Sequence, residues 1–361
     1  GRLVANRLRR TSLSALDEVA ADTKSDKSVV THAWPGRDVR LDRPGAAADP
    51  QAVAFTSGEK VIVALGGSNQ LAEFDATAGT SRRAQVGSRP VAVAVDAAGR
   101  KAYVCDSLSD TISVVDLERM ETTASISLGP SPDPYPRDRG ERLFFDARMS
   151  PGGFVSCHSC HVDGHTSGLL ADTLADGTYG TPKRILTLMG TALTDQWSWN
   201  GEIRELRDQV RRSLESTMHA PPMRAAEHDD VAAFLHTLPF PKPALPKPNL
   251  SRPTAAPSAD SADAALWQLG ETTFIQRQCG QCHVGPLTYT SQPAFDVGLR
   301  DERGLAKFNP PSLRGVSQNM RLFHDNRCET LEAVFHDEQH QLATPLSDAE
   351  VSALVRFLKS L

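Results

Sequence analysis

Two stretches of the chain combine thiols with an imidazole at one spacing: Cys157-His158-Ser159-Cys160-His161 and Cys279-Gly280-Gln281-Cys282-His283. Each reads C-x-x-C-H. Two thiols so separated can form thioethers with both vinyl groups of one porphyrin, and the next imidazole then reaches the iron as an axial ligand. The pattern occurs twice in a chain with only six Cys and eleven His. A four-cysteine zinc site is the main alternative, but zinc ribbons hold their two pairs roughly 15–20 residues apart. Here an entire domain separates Cys160 from Cys279. Thioredoxin-like exchange would need such a motif near a βαβ pattern, and the sequence has none. The residues point to two covalently attached c-type haems, with Cys157, Cys160, Cys279 and Cys282 as tethers and His161 and His283 on iron. Cys105 and Cys328 remain, as a disulfide or as free thiols.

The elements that position these motifs must come from a chain of 361 residues, long enough for two or three domains. Its hydrophobic content of 40% suits ordinary cores, and a net charge of −5 gives no reason to expect nucleic acid. No apolar run is long enough to span a membrane. The chain opens at Gly1, which reads as a mature or truncated piece of a longer protein. Covalent haem attachment implies export, to the periplasm or an equivalent compartment.

Residues 1–45 read as a polar, irregular segment with a weak helical signal near Leu13 to Ala21. A repeat follows over 46–129. Pro50-Gln51-Ala52-Val53-Ala54-Phe55 is echoed by Pro90-Val91-Ala92-Val93-Ala94-Val95, Gly58 by Gly99, Val61-Ile62-Val63 by Ala102-Tyr103-Val104, and Asp75 by Asp116. Short alternating runs between turn residues, at a period of about forty, suggest propeller blades; a small β-sandwich is the alternative. Two blades cannot close a ring, and their open edges invite pairing, so further blades are expected upstream. Helical patterns then run from Gly140 to Met149, Glu202 to Met218 and Ala225 to Leu238, within a first haem domain at 136–240. A Pro-rich linker occupies 241–261. A second haem domain, 262–361, starts with a helix from Ala262 to Cys279 and ends with one capped by Ser347. Each half follows the plan helix, C-x-x-C-H, long loop, helix. The fold class expected is multidomain: partial all-β propeller blades followed by two mainly α-helical cytochrome c-like domains.

From about Pro136 to Leu361 the chain resembles the bacterial dihaem cytochrome c peroxidase and MauG family. Arg142-Leu143-Phe144-Phe145-Asp146-Ala147-Arg148 resembles the helix before that family's first haem. Trp199-Asn200-Gly201 through Leu206-Arg207-Asp208-Gln209 resembles its W-D-G-R…L-x-x-Q segment. Pro311-Ser312-Leu313-Arg314 and Phe323-His324-Asp325-Asn326…Thr330-Leu331-Glu332-Ala333-Val334 resemble P-S-L-R-N and F-H-D-G…T-L-E-E-V. The strands at Ala102–Asp106 and Thr111–Asp116 are similar to the YVTN-type propeller repeat, although Cys105 and Asp106 stand where that repeat favours Thr and Asn.

The resemblance implies a peroxidase-like oxidoreductase in which electrons enter at the second haem and reach a reactive first haem. Hydrogen peroxide, or another substrate, would be reduced there. A small donor protein, cytochrome c or cupredoxin, would supply the electrons. Trp199 matches the family's inter-haem Trp, with Trp197 as its neighbour, and Gln209 matches a distal Gln. The family's distal Glu is missing from its usual place. Glu215, a turn earlier, and His219 are the residues left for proton transfer, though an exposed helix charge is the commoner fate of such a Glu. No His lies between Thr166 and Met218, so the first iron is open or capped by a residue such as Tyr179 or a Met. At the second haem His336 or His340 stands in for the family's Met or Tyr ligand. A calcium ion near Asn309 is also implied. Two rival readings remain: a dihaem electron-transfer protein without turnover, and a MauG-like oxidase with the blades as docking surface.

Overall fold

The computed structural model describes residues 7–10, 37–40, 47–56, 60–75, 80–130, 133–174, 179–248 and 259–361. The helical signal near Leu13 to Ala21 and the Gly58 position lie outside them. Within the segment read as irregular, β1 (Arg7–Arg10) and β2 (Arg37–Arg40) pair antiparallel, setting Leu8 opposite Val39 and Arg9 opposite Asp38. Four-residue strands this rich in charge carry too little alternation to stand out in sequence.

The chain divides into two compact units, 1–133 with 144–157, and 134–143 with 158–361. The first contains two four-stranded antiparallel sheets. One runs through β3 (Pro50–Phe55), β4 (Val61–Leu65), β5 (Gln70–Asp75) and β6 (Thr80–Gln85). The other runs through β7 (Pro90–Val95), β8 (Lys101–Asp106), β9 (Thr111–Asp116) and β10 (Glu121–Ser127). Both are simple up-and-down meanders, as the repeat required. The echo reaches the backbone: each first strand has a register break at the same place, between Pro50 and Ala52 and between Pro90 and Ala92. Proline cannot donate to the ladder, which suits it to a strand's first residue or a bulge.

Side chains of both sheets share one core of Ile62, Leu71, Ala84, Ala102, Val104, Val115, Leu117 and Met120. Arg82 ties the sheets together, donating to the carbonyls of Leu117 and Glu118 and to the Glu73 carboxylate. Along β10 every residue is exposed, and Tyr103 on β8 is exposed as well. Cys105 and Cys328 are both free thiols.

The second unit is helical, with short strand pairs. α1 (Pro136–Phe145) begins with Pro at its first position, where no N–H is needed. A single helical turn, α2 (Cys157–Cys160), carries the first motif. β11 (Leu170–Ala171) pairs with β12 (Lys183–Arg184). The run expected as one helix from Glu202 to Met218 is α3 (Leu206–Arg212) followed by a π-turn over Ser213–Thr217. α4 (Ala225–Leu235) ends the first half.

α5 (Ala259–Gln276) opens the second half, starting slightly before the boundary read from sequence. β13 (Phe295–Asp296) pairs with β14 (Lys307–Phe308). α6 (Leu331–His336) and α7 (Asp348–Leu358) follow. Ser347 caps α7 as expected: its hydroxyl accepts from Glu350 N–H, and Glu350 accepts from Ser347 N–H. The core of this half joins Trp267 and Phe274 of α5 to Val351, Leu354, Val355, Phe357 and Leu358 of α7.

α5 and α7 approach so closely that a Cβ on Gly270 would lie 2.0 Å from the Ala353 carbonyl oxygen. α1 and α4 repeat the arrangement: a Cβ on Gly140 would lie 1.9 Å from the Asp230 carbonyl oxygen. In each half the helices before and after the haem motif therefore cross at a glycine.

Candidate haem sites

The first motif sits at the end of α2. One helical turn brings Cys157 and Cys160 to the same side, because residues three apart share a helix face. The chain leaves helical geometry at His161, with φ −107° and ψ 69°. The His161 Nδ1–H donates to the Leu186 carbonyl at 2.9 Å. A carbonyl can only accept, so Nδ1 holds the proton and Nε2 holds the lone pair. Burial pulls the His161 pKa down to about 4, against its hydrogen bonds with the backbone of Leu186 and His165, which raise it. The ring is neutral at physiological pH, the form that binds iron.

The second site repeats the device on a different scaffold. Cys279 opens a 3₁₀ turn after α5, and Gln278 before it takes left-handed backbone angles. The His283 Nδ1–H donates to the Tyr289 carbonyl at 3.2 Å. Burial, helped by the charge of His340, brings His283 to about 4 as well. Burial also pushes the Cys279 thiol up to about 11. Each site thus offers two thiols and a neutral imidazole whose outer nitrogen is held by the main chain. This is the donor set that a c-type haem requires. Among the described residues no cluster of three or more His, Cys, Asp or Glu is arranged to hold a bare metal ion, so the four-cysteine zinc alternative is not assembled.

Between the two halves lies an aromatic and polar seam. The Trp199 ring stands edge-on to Phe308, at 6.5 Å between centroids, and to His324, at 6.2 Å. Phe308 and His324 are stacked at 4.4 Å. Trp199 Nε1–H donates to the Arg184 carbonyl at 2.8 Å, and Asn309 N–H donates to the Trp199 carbonyl at 2.7 Å. Arg184 N–H donates to the His324 carbonyl. Lys183 pairs with the buried Asp301 at 2.9 Å. Trp197, the alternative in sequence, pairs instead with Ile203 within the first half, and its Nε1 meets no acceptor.

The remaining candidates separate by burial. Gln209 lies on α3, one turn before the π-turn; its Nε2 donates to Ser213 Oγ at 3.1 Å and its Oε1 is buried without a donor. π-turns often mark functional positions. Glu215 is exposed and paired with Arg211 at 3.0 Å, and His219 is exposed. Neither joins Gln209 in a buried site. Tyr179 is exposed. His340 is packed edge-on against Phe323 at 5.2 Å and its pKa is lowered, chiefly by burial. His336 is partly exposed, beside Asp348 at 4.0 Å. Asn309 is buried, its Nδ2 donating to the Gln196 carbonyl at 2.7 Å while its Oδ1 meets no donor.

Sequence reading missed the carbonyls of Leu186 and Tyr289, which residue identity does not reveal. It also missed Arg184 and His324 as seam residues. The one available signal for Arg184 was a charge set against the apolar Ile185-Leu186.

Residues 138–242 match the family model described as di-haem cytochrome c peroxidase. Cytochrome c551 peroxidase of Nitrosomonas europaea is 25% identical over 62% of this chain and 78% of its own. Methylamine utilization protein MauG of Methylorubrum extorquens is 26% identical over 54% of this chain and 66% of its own. A chain of hydrazine synthase from Kuenenia stuttgartiensis shares the fold, with a TM-score of 0.51 and 21% identity over 64% of this chain and 89% of that one.

Proposed function

We propose that the chain, which carries a module of the dihaem cytochrome c peroxidase and MauG family, is an exported oxidoreductase holding two c-type haems. The observation that carries this reading is the duplicated proximal arrangement, in which a half-buried neutral imidazole beside two thiols is oriented by a main-chain carbonyl. Cys157 and Cys160 would tether one group and Cys279 and Cys282 the other. Bound haem supplies one-electron chemistry and a site for peroxide. Every other part is played by the chain. Leu186 and Tyr289 fix the tautomers of His161 and His283. Trp199, with Phe308 and His324, offers an aromatic path across the seam.

His340, half-buried against Phe323 and near His283, is the residue that would complete the ligation of the second haem. His336 is not in such a position. The loop from Thr166 to Met218 offers the first haem no histidine, so that haem would be the one open to substrate, and Gln209, whose Oε1 is buried without a donor, would be its polar neighbour. The electron donor would be a small cytochrome c or cupredoxin, and the substrate hydrogen peroxide. Asn309 Oδ1 is an oxygen of the type calcium takes, and calcium at the seam is part of the proposal. Among the described residues no helix is long and apolar enough to cross a membrane.

One observation favours a second reading, electron transfer without turnover: Glu215 and His219, the two candidate proton carriers, both face solvent. The experiment is expression in a host that matures cytochromes, followed by mass measurement and a pyridine haemochrome assay, with two haems per chain expected. A resting spin-resonance spectrum with one high-spin ferric haem, and rapid reaction with peroxide, supports the peroxidase. Two low-spin haems inert to peroxide select the electron-transfer reading. H340A should turn the second haem high-spin while H336A leaves it unchanged. W199F should slow inter-haem transfer by roughly tenfold; an unaltered rate would remove Trp199 from the path.

A further inference from the structure

Two arginines are deeply buried among the described residues, Arg356 and Arg184. Arg356 is held by both oxygens of Asp263, at 2.6 and 2.7 Å. The neighbouring Lys183 has Asp301. Arg184, only 4% exposed, has no carboxylate partner among the described residues. Its Nε donates to the Phe323 carbonyl at 3.0 Å, and its guanidinium carbon stands 5.5 Å from the centre of the Trp199 ring. Burial alone, with no anion to oppose it, brings its pKa down to about 10, so it remains a cation at neutral pH.

A buried charge without a counter-ion is strongly unfavourable unless an anion is brought to it. None of the described residues supplies one here, which leaves the place to a bound group. A c-type haem carries two carboxylates, on the edge of the porphyrin opposite the vinyl groups that the thiols capture. Arg184 stands two residues before Leu186, whose carbonyl orients His161. It belongs to the segment that lines the first haem site, and a guanidinium is shaped to grip a carboxylate with two parallel hydrogen bonds.

We propose that Arg184 is the polypeptide's counter-ion for a propionate of the first haem, pinned by the Phe323 carbonyl and stacked toward Trp199 at the seam of the two halves. The assignment rests on the dihaem reading above. It makes Arg184 a positioning residue: it fixes the far edge of the cofactor and neutralises that edge beside the indole.

The test is a spectroelectrochemical titration of the holoprotein and of R184Q and R184K across neutral pH. R184Q keeps a donor for the Phe323 carbonyl but removes the charge. The first haem's midpoint should fall in R184Q and climb as pH is lowered, because a propionate without its counter-ion takes up one proton for each electron received. R184K should stay near wild type. Midpoints in R184Q that equal wild type at every pH overturn the proposal. A shift shared equally by R184K also overturns it, since that marks a lost brace rather than a lost charge. Should R184Q fail to mature, resonance Raman spectra of wild type and R184K decide. The propionate bending mode must move when a fork is replaced by an ammonium, and an identical mode refutes the contact. A wild-type protein without haem would instead sink the dihaem reading itself.

Discussion

The two haem halves solve one packing problem with charges exchanged. In the first, Arg139 on α1 grips both oxygens of Asp230 on α4, each at 2.7 Å. In the second, Asp263 on α5 is gripped by Arg356 on α7. The acid is on the last helix in one half and on the first helix in the other. In both, the partner on the last helix is the buried one: Asp230 is 9% exposed and Arg356 8%, against 45% for Arg139 and 42% for Asp263. What the halves share is a crossing at glycine and a two-pronged clamp beside it; the sign of the buried charge is free. A bidentate pair defines an angle between helices, which a greasy contact does not.

The comparison can be broken at its centre. G140A and G270A should each destabilise their half by about 3 kcal/mol, since the added methyl has to displace main-chain atoms of the facing helix. Any helix-propensity gain from alanine is smaller, about 1 kcal/mol. Chemical denaturation followed by circular dichroism checks both, and a neutral outcome at either glycine would show that the crossings are not equivalent. The clamp comes next. R139A leaves a buried carboxylate without its partner and should lower the denaturation midpoint, whereas the exchanged pair R139D/D230R, built on the pattern of the second half, should recover most of the loss. If the double variant is no better than R139A, the charge order in the first half is not free after all.

The helix caps differ in a smaller way. α7 has a full reciprocal box between Ser347 and Glu350. At α4 the Glu227 carboxylate accepts from the Arg224 N–H at 2.8 Å, but arginine offers no oxygen in return. R224S should complete that box and add about 0.5–1 kcal/mol, visible as a raised midpoint in denaturant.

The same caps predict an acid response. Backbone donation from Ser347, then the Arg277 guanidinium, hold the Glu350 pKa at about 2, below its unfolded value of about 4.3. A depressed carboxylate stabilises the fold fully above its unfolded pKa and loses that contribution as pH falls toward its folded pKa. Stability should therefore decline between about pH 5 and pH 2, and E350Q should flatten this decline. An equally steep acid profile in E350Q would assign the response to other groups.

Much of this was legible in sequence wherever side-chain identity itself is the signal. The two attachment motifs, the Ser347 cap and the echo of β3 in β7 all depend on residue types at fixed spacing, and the structure has the cap and the echo as read. Sequence did not single out Gly140 or Gly270 as crossing points, because the need for a missing Cβ arises from a helix far away in the chain. The break of Glu202–Met218 into α3 and a π-turn was invisible, since no Pro or Gly marks it. Arg184 looked like any surface cation until the partners around it could be counted.

One feature of both sites bears on how such a protein tolerates change. The groups that aim His161 and His283 are the peptide oxygens of Leu186 and Tyr289. Every amino acid brings the same oxygen. Exchanging either residue for another of similar shape leaves the aiming atom in place, and only a rerouted loop can remove it. Loci 186 and 289 can therefore drift, while the imidazoles they steer stay locked against genetic noise.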